Sequence, residues 1–224
     1  MFLSRLILNP LSKSVRRDIK DVRQLHRTVM SAFPENEETI STRKKFSVLH
    51  RLEYSRMTGW QLLVQSQIHP NWETLPKDYL LHAAENPGTK CIADAFKSVM
   101  PGKAYSFRLR ANPTRKIDTK RGPSGEKQNG RRVPHSRTED QIQWLLRKSA
   151  SHGFALQQVV IAASGSSELV SSQHGNLCFQ GVTFEGALVV VDKEILLDTL
   201  RNGIGSGKAF GFGLLSLAPS QKSN

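Results

Sequence analysis

Residues 103–111 read Lys-Ala-Tyr-Ser-Phe-Arg-Leu-Arg-Ala, and their alternation decides the fold. Tyr105, Phe107, Leu109 and Ala111 interleave with Ser106, Arg108 and Arg110, so an extended chain would bury one face and leave the other polar. Working outward, residues 113–134 are rich in Gly, Pro, Lys and Arg and predict a loop or hairpin. Ser136-x-x-Glu139 is a capping box that opens a helix through Ile142, Leu145 and Leu146, ended by Gly153. Residues 154–163 predict a strand, and residues 177–191 a longer one, bulged near Gly186. Asp192 caps a helix over residues 193–201 that Gly203 stops, and residues 210–217 predict the last strand. The order is β-α-β-β-α-β, the split βαβ or ferredoxin-like arrangement.

The first half follows the same order. Residues 2–8 predict a strand ended by Asn9-Pro10. A helix follows, opened by Asp18 or Asp21, with Val22, Leu25, Val29, Ala32 and Phe33 at helical spacing before Pro34 stops it. Strands are expected over 45–53 and 60–68, and a short helix over 78–85, closed by Asn86-Pro87-Gly88. The expectation is an α+β protein of two tandem ferredoxin-like (RRM-like, βαββαβ) domains, residues 1–100 and 101–224. That architecture is a common RNA-binding platform, but fold alone does not assign function.

Composition bounds the alternatives. The chain has 224 residues, with 38% hydrophobic and 23% charged, enough for a packed core and too apolar for a disordered chain. No run approaches the roughly 18 apolar residues of a membrane span. The opening Met-Phe-Leu-Ser-Arg-Leu-Ile-Leu is too short and too interrupted by Arg5 for a secretion-signal core, and Arg16-Arg17 is followed by charged residues, unlike a twin-arginine signal. The two cysteines, Cys91 and Cys178, lack CxxC partners. They predict neither a zinc cluster nor a disulfide scaffold, but reduced core thiols in a cytosolic protein.

The charge is concentrated. Residues 1–33 carry seven basic and two acidic residues, and residues 103–132 carry ten and two. The remaining 161 residues hold 15 of each sign, so these two segments contain the whole net charge of +13. Such clustering is the electrostatic footprint of a polyanion, most often nucleic acid.

The cluster Gly203-Ile-Gly-Ser-Gly-Lys-Ala-Phe-Gly-Phe-Gly213 fails as a nucleotide-binding motif. A Walker A loop needs Gly and Ser/Thr where Asn202 and Ala209 stand, and a dinucleotide fingerprint needs Gly where Lys208 stands. Its glycines still let backbone N–H groups approach a phosphate that Lys208 would neutralise, beside the plainer role of helix cap and turn. No paired carboxylates with metal-ligand spacing, no GxSxG and no HExxH occur. Of seven histidines, His26 has the most suggestive setting. It borders the apolar face of its helix, with Arg23 one turn earlier and Arg27 beside it. The residues alone leave it either a helix-flank histidine or one facing a ligand.

At this point the chain resembles the CasE family of CRISPR-associated endoribonucleases. The resemblance runs through Asn9-Pro10, Leu25-His26-Arg27, Leu63-Val64-Gln65-Ser66, Phe107-Arg-Leu-Arg-Ala-Asn-Pro113, Gln141-Ile142-x-Trp144-Leu145-x-Arg147-Lys148 and Phe184-Glu185-Gly186. The stretch from Gly203 to Pro219, ending Gly213-Leu-Leu-Ser-Leu-Ala-Pro, is the most telling. The resemblance implies tandem ferredoxin-like domains. It implies metal-independent cleavage of a precursor transcript at the base of a repeat stem-loop, without a small-molecule cofactor. It further implies that the product hairpin is retained among Cascade subunits in the cytoplasm, away from any membrane. His26 matches the family's catalytic histidine. Arg23 stands where members carry Tyr, and Ser31 where some carry Lys.

The expected catalytic set is His26, Arg23 and Ser31. The expected RNA-binding set is Arg27, Arg108, Arg110, Asn112, Arg115, Lys116, Lys120, Arg121, Arg131, Arg132, Gly205, Gly207 and Lys208. The RNA's own 2′-OH would attack, giving a 2′,3′-cyclic phosphate and a 5′-OH. The alternative is a non-catalytic hairpin-binding subunit of a ribonucleoprotein.

Overall fold

The structure is a computed structural model. It describes residues 1–35, 41–117, 131–162, 168–172 and 175–220, with only the backbone of 131, 168–172 and 175–178. Strands β1 (Phe2–Ile7), β2 (Leu49–Ser55), β3 (Gly59–Ser66) and β4 (Gly88–Cys91) form an antiparallel sheet in the order β2-β3-β1-β4. Between β1 and β2 run three helices: α1 (Lys13–Lys20), α2 (Val22–Met30) and α3 (Thr42–Lys45). An unexpected helix, α1, precedes the expected one, which is α2 and opens at Asp21. That residue takes an extended conformation and its carboxylate accepts from the Arg23 N–H, so it caps α2, while Ser12 caps α1. Asp18, the other expected cap, is buried instead and accepts a 2.9 Å hydrogen bond from the Tyr79 hydroxyl. Leu25 and Val29 of α2 pack onto Leu6, Leu62 and Val64 of the sheet.

Three local expectations fail here. Residues 78–85 are turns, because Tyr79 is drawn inward to Asp18 and Leu80 bridges Leu8, which a helix would not permit. The second strand begins at Leu49, four residues late, because 42–45 coil into α3. Cys91 is exposed on the edge strand β4 rather than buried, while the Cys178 side chain lies outside the described atoms.

After α4 (Ala93–Lys97), the second half comprises β5 (Ala104–Ala111), the hairpin β6 (Thr114–Ile117) and β7 (Arg131–Pro134), α5 (Thr138–Ala150), β8 (Phe154–Ile161), β9 (Glu168–Ser172), β10 (Gly175–Val190), α6 (Lys193–Asn202) and β11 (Leu215–Pro219). Its main sheet has the order β11-β5-β10-β8, with β9 paired to one end of β10. Numbered within each half, both sheets run fourth, first, third, second, which is the ferredoxin-like order. The expected alternation on β5 is present: Tyr105, Phe107, Leu109 and Ala111 are buried with Leu145, Phe184 and Leu196. β10 shifts register between Ala187 and Leu188, next to the glycine expected to mark a bulge. The capping box at Ser136 is not used. The N-cap is Arg137, with no side-chain cap bond. The last strand starts only at Leu215, because Lys208–Phe210 wind into a 3-10 turn.

The halves meet through polar contacts. On β2, Leu49, Arg51 and Glu53 point away from the helices, by the two-residue period of a strand. Arg51 is only 3% exposed. Its Nε donates to Glu53 at 2.7 Å, and its Nη1 donates to the Leu214 carbonyl at 3.0 Å and the Arg108 carbonyl at 3.4 Å. Arg108 in turn donates to Glu185 at 2.7 Å and to Glu53 at 3.2 Å. Gln65 on β3 donates to the Leu200 carbonyl of α6 at 2.6 Å. Removing a buried hydrogen-bonded charge orphans its partners and costs about 3 kcal/mol. Arg51→Met is therefore expected to lower the unfolding free energy by about 3 kcal/mol in urea denaturation; a loss below about 1 kcal/mol would show that the junction does not depend on it.

Candidate active site

His26 sits one residue past Leu25, at the flank of the buried stripe of α2. This is the position its border on the helical wheel requires. The ring is half-buried, and its Nδ1 is buried with no hydrogen-bond partner among the described residues. It stacks on His50, with centroids 6.3 Å apart and planes 19° apart, and meets Phe210 edge-on at 6.3 Å. His50 lies on β2 opposite Val64, 2% exposed, and its Nε2 likewise has no described partner. Burial, then His26, Arg43 and Arg110, push the His50 pKa down to about 3, so this ring is neutral at any physiological pH. Burial and then the Arg43 guanidinium lower the His26 pKa from its ordinary value as well. The site therefore presents a neutral imidazole, able to accept a proton and ready to become charged once an anion arrives.

A cleft of about 550 Å³ opens beside His26, lined among others by Arg27, Ser31, Glu35, Thr42 and Arg43. Arg27 is exposed at its edge. The Ser31 hydroxyl is committed to the end of α2, donating to the Thr28 carbonyl at 2.9 Å.

A segment of the second half packs against the His26 and His50 rings, outside the described lining of this cleft. After α6 ends at Gly203, the glycine-rich chain packs against α2 and β2. Gly205 has φ +82°, and an added Cβ would lie 3.1 Å from the Trp144 ring. Gly211, at φ +84°, lays its backbone against the His50 ring. Lys208 is half-buried. Its pKa is lowered by burial and by Arg43 and Lys148, partly offset by Asp198. A second pocket, of about 280 Å³, lies behind Lys208, lined by Thr114, Arg132, Lys148, His152 and Ser206, with no carboxylate among its described lining. Burial also lowers the His152 pKa, and its Nδ1 lies 2.7 Å from the Lys148 carbonyl.

The other expected site residues distribute as follows. Arg23 stands one turn before His26, half-buried, outside the described lining of the cleft. Arg108 is held in the ion pairs of the junction. Arg110 donates to the Leu52 carbonyl at 3.4 Å and lies 5.5 Å over the Phe212 ring. Asn112 is buried with its Oδ1 unpartnered among the described residues. Arg115 and Lys116 are exposed on β6, and Arg132 on β7 donates to the Thr114 hydroxyl. Gly207 takes a left-handed conformation just before Lys208. Lys120 and Arg121 lie outside the described residues, as does the Arg131 side chain.

The sequence profile described as CRISPR associated protein matches residues 1–219. The chain belongs to this family. It is 35% identical to the CRISPR-associated endoribonuclease Cse3 of Thermus thermophilus, covering 98% of this chain and all of that one. It is 29% identical to the CRISPR system Cascade subunit CasE of Escherichia coli K12, again over 98% and 100%. The solved structure of Thermus thermophilus Cse3 bound to an RNA representing a pre-cleavage complex superposes with a TM-score of 0.76 at 33% identity, covering 97% of this chain and 98% of that one.

Sequence reasoning located His26 and the glycine-rich turn but missed His50 and Arg43. His50 carries no local signal, since only the pairing of β2 beneath α2 brings it to His26. Arg43 falls in the part of the chain where charges cancel, so counting charge passes over it. The basic triplet Arg43-Lys44-Lys45 was a visible cue.

Proposed function

We propose that this chain is an endoribonuclease of CRISPR RNA processing, cutting a precursor transcript at the base of its repeat stem-loop and retaining the hairpin within a Cascade complex in the cytoplasm. Relatives named as an endoribonuclease and as a Cascade subunit, matched over their whole length, support the reading. The observation that carries it is a neutral histidine held among cations: His26, with Arg27 and Arg43 in its cleft and Lys208 on the adjoining turn. The division at residues 1–100 and 101–224 belongs to this reading. It is supported by two separate apolar clusters, although Phe96 and Val99 already pack with the second.

The chemistry runs on groups that RNA and protein supply. His26, as neutral imidazole, takes the proton of the 2′-OH beside the scissile phosphate. The 2′-oxygen bonds to phosphorus, the bond from phosphorus to the 5′-oxygen breaks, and the leaving oxygen takes a proton from water. The products are a 2′,3′-cyclic phosphate and a 5′-OH. The surrounding cations favour the extra negative charge of the phosphorane, in a partly desolvated cleft where such charges act strongly. No step is assigned to a metal. Arg23, the expected tyrosine equivalent, acts as a phosphate contact from the adjacent turn, and Ser31 serves the helix end. The hairpin β6–β7, with Arg115, Lys116 and Arg132, contacts the phosphates of the RNA stem, whose deep major groove favours recognition by shape.

With repeat hairpin RNA and EDTA present, His26→Ala is expected to lose about 10²–10⁴-fold in single-turnover cleavage with unchanged affinity. Equal cleavage by both proteins would contradict the assignment, and tight binding without cleavage by wild type would favour a purely binding subunit. The double variant Lys116→Gln, Arg132→Gln is expected to flatten the log–log salt dependence of the dissociation constant by about 1.5, leaving the rate at saturating RNA unchanged. An unaltered slope would remove the hairpin from the interface.

A further inference from the structure

Arg43 stands on α3, a short helix held by hydrogen bonds to the residues that flank β2 and β3. Its own carbonyl accepts from the Val48 N–H at 2.9 Å, and the Phe46 carbonyl accepts from the Gln67 N–H at 2.8 Å. Of the three consecutive cations Arg43, Lys44 and Lys45, the second and third are exposed, and only Arg43 is half-buried and lines the cleft with His26. Among the described residues no carboxylate is paired with it. Glu35, which shares the cleft lining, is exposed. A guanidinium partly removed from water, with no counter-charge paired to it among the described residues, favours an anion in the space before it. Its planar N–H fork fits two oxygens of a phosphate.

We propose that Arg43 is a further catalytic residue of the endoribonuclease site, binding the non-bridging oxygens of the scissile phosphate opposite His26 and stabilising the phosphorane. This rests on the endoribonuclease reading and deepens it. On α2 the Ser31 hydroxyl is spent on the Thr28 carbonyl, so it has no proton left to offer a phosphate in the cleft. Arg43 lines the same cleft from α3, close enough that its charge acts on His26, His50 and Lys208 together. A phosphate seated there meets a fixed cation on one side and a proton acceptor on the other.

After burial, Arg43 also lowers the proton affinity of His26. The groups facing that ring are His50 from β2, Arg43 from α3, Arg23 and Arg27 of its own helix, and Glu35 in the shared cleft. Lys208 stands on the turn that brings Phe210 against it. Strand β9, whose backbone also lies near α2, carries one titratable residue, Glu168. Removing the Arg43 charge moves the His26 pKa up, toward its ordinary 6.5. For a base that must be neutral, the acid limb of the rate then moves to higher pH.

The test is single-turnover cleavage of repeat hairpin RNA by wild type, Arg43→Gln and Arg43→Lys, across pH, with binding measured alongside. The expected result for Arg43→Gln is a rate loss of about 10²–10³-fold at saturating RNA, affinity changed by less than about tenfold, and an acid limb shifted upward. Arg43→Lys, which keeps the charge and is the control for folding, is expected to recover at least about tenfold and to keep the wild-type limb. Equal rates for wild type and Arg43→Gln, or the same loss and the same limb shift in both variants, overturn the role of Arg43 while wild-type cleavage leaves the endoribonuclease reading standing. No cleavage by wild type overturns that reading and this inference with it.

Discussion

Arg51 lies buried between β2 and the β5–β11 pair, its charge balanced by Glu53 and its N–H groups bonded to the Leu214 and Arg108 carbonyls. Successive residues of a strand point to opposite faces. Fixing Arg51 against the second half therefore fixes His50, its neighbour, beneath α2. Leu214 is only four residues beyond Phe210, so the same contact limits where the glycine-rich turn can go. That turn reaches the ring of His26 through Phe210 and the ring of His50 through Gly211. A histidine from one half and a cationic turn from the other meet because one buried guanidinium sets their spacing.

The second organising constraint is an excess of positive charge among the described residues around His26. Burial alone disfavours a charged imidazole, and Arg43 disfavours it further, so both favour the neutral form of His26. Lys208 extends the positive region from the cleft to the pocket lined by Arg132 and Lys148. A polyanion is the partner that repays such an arrangement, since each phosphate it seats relieves repulsion already present in the free protein. By contrast, Arg108 and Arg110 are largely taken up by the junction, so part of the basic charge visible along the chain serves architecture.

Periodicity made most of the fold legible. The alternation on 103–111, the caps at Asp21 and Asp192 and the stop at Gly203 all read correctly, because each is a local physical requirement. The failures come where distant contacts outweigh local preference. Tyr79 goes inward to Asp18 instead of starting a helix, and Cys91 lands on an exposed edge because β4 pairs with β1 on one side only. The site divides in the same way. The helix border marked His26 only as a candidate, which the family resemblance singled out, and the glycines marked Lys208 only as one of two readings of its turn. Arg43 and His50 became visible only after the sheet brought three separate segments together.

In the proposed mechanism RNA supplies its own nucleophile to a neutral His26. The most direct measurement is cleavage of a repeat hairpin in which the single 2′-OH beside the scissile phosphate is replaced by hydrogen. This RNA is expected to bind as tightly as the unmodified one and to remain uncut. Cleavage at the same bond would show that another nucleophile, such as water, attacks the phosphorus, and would contradict the mechanism.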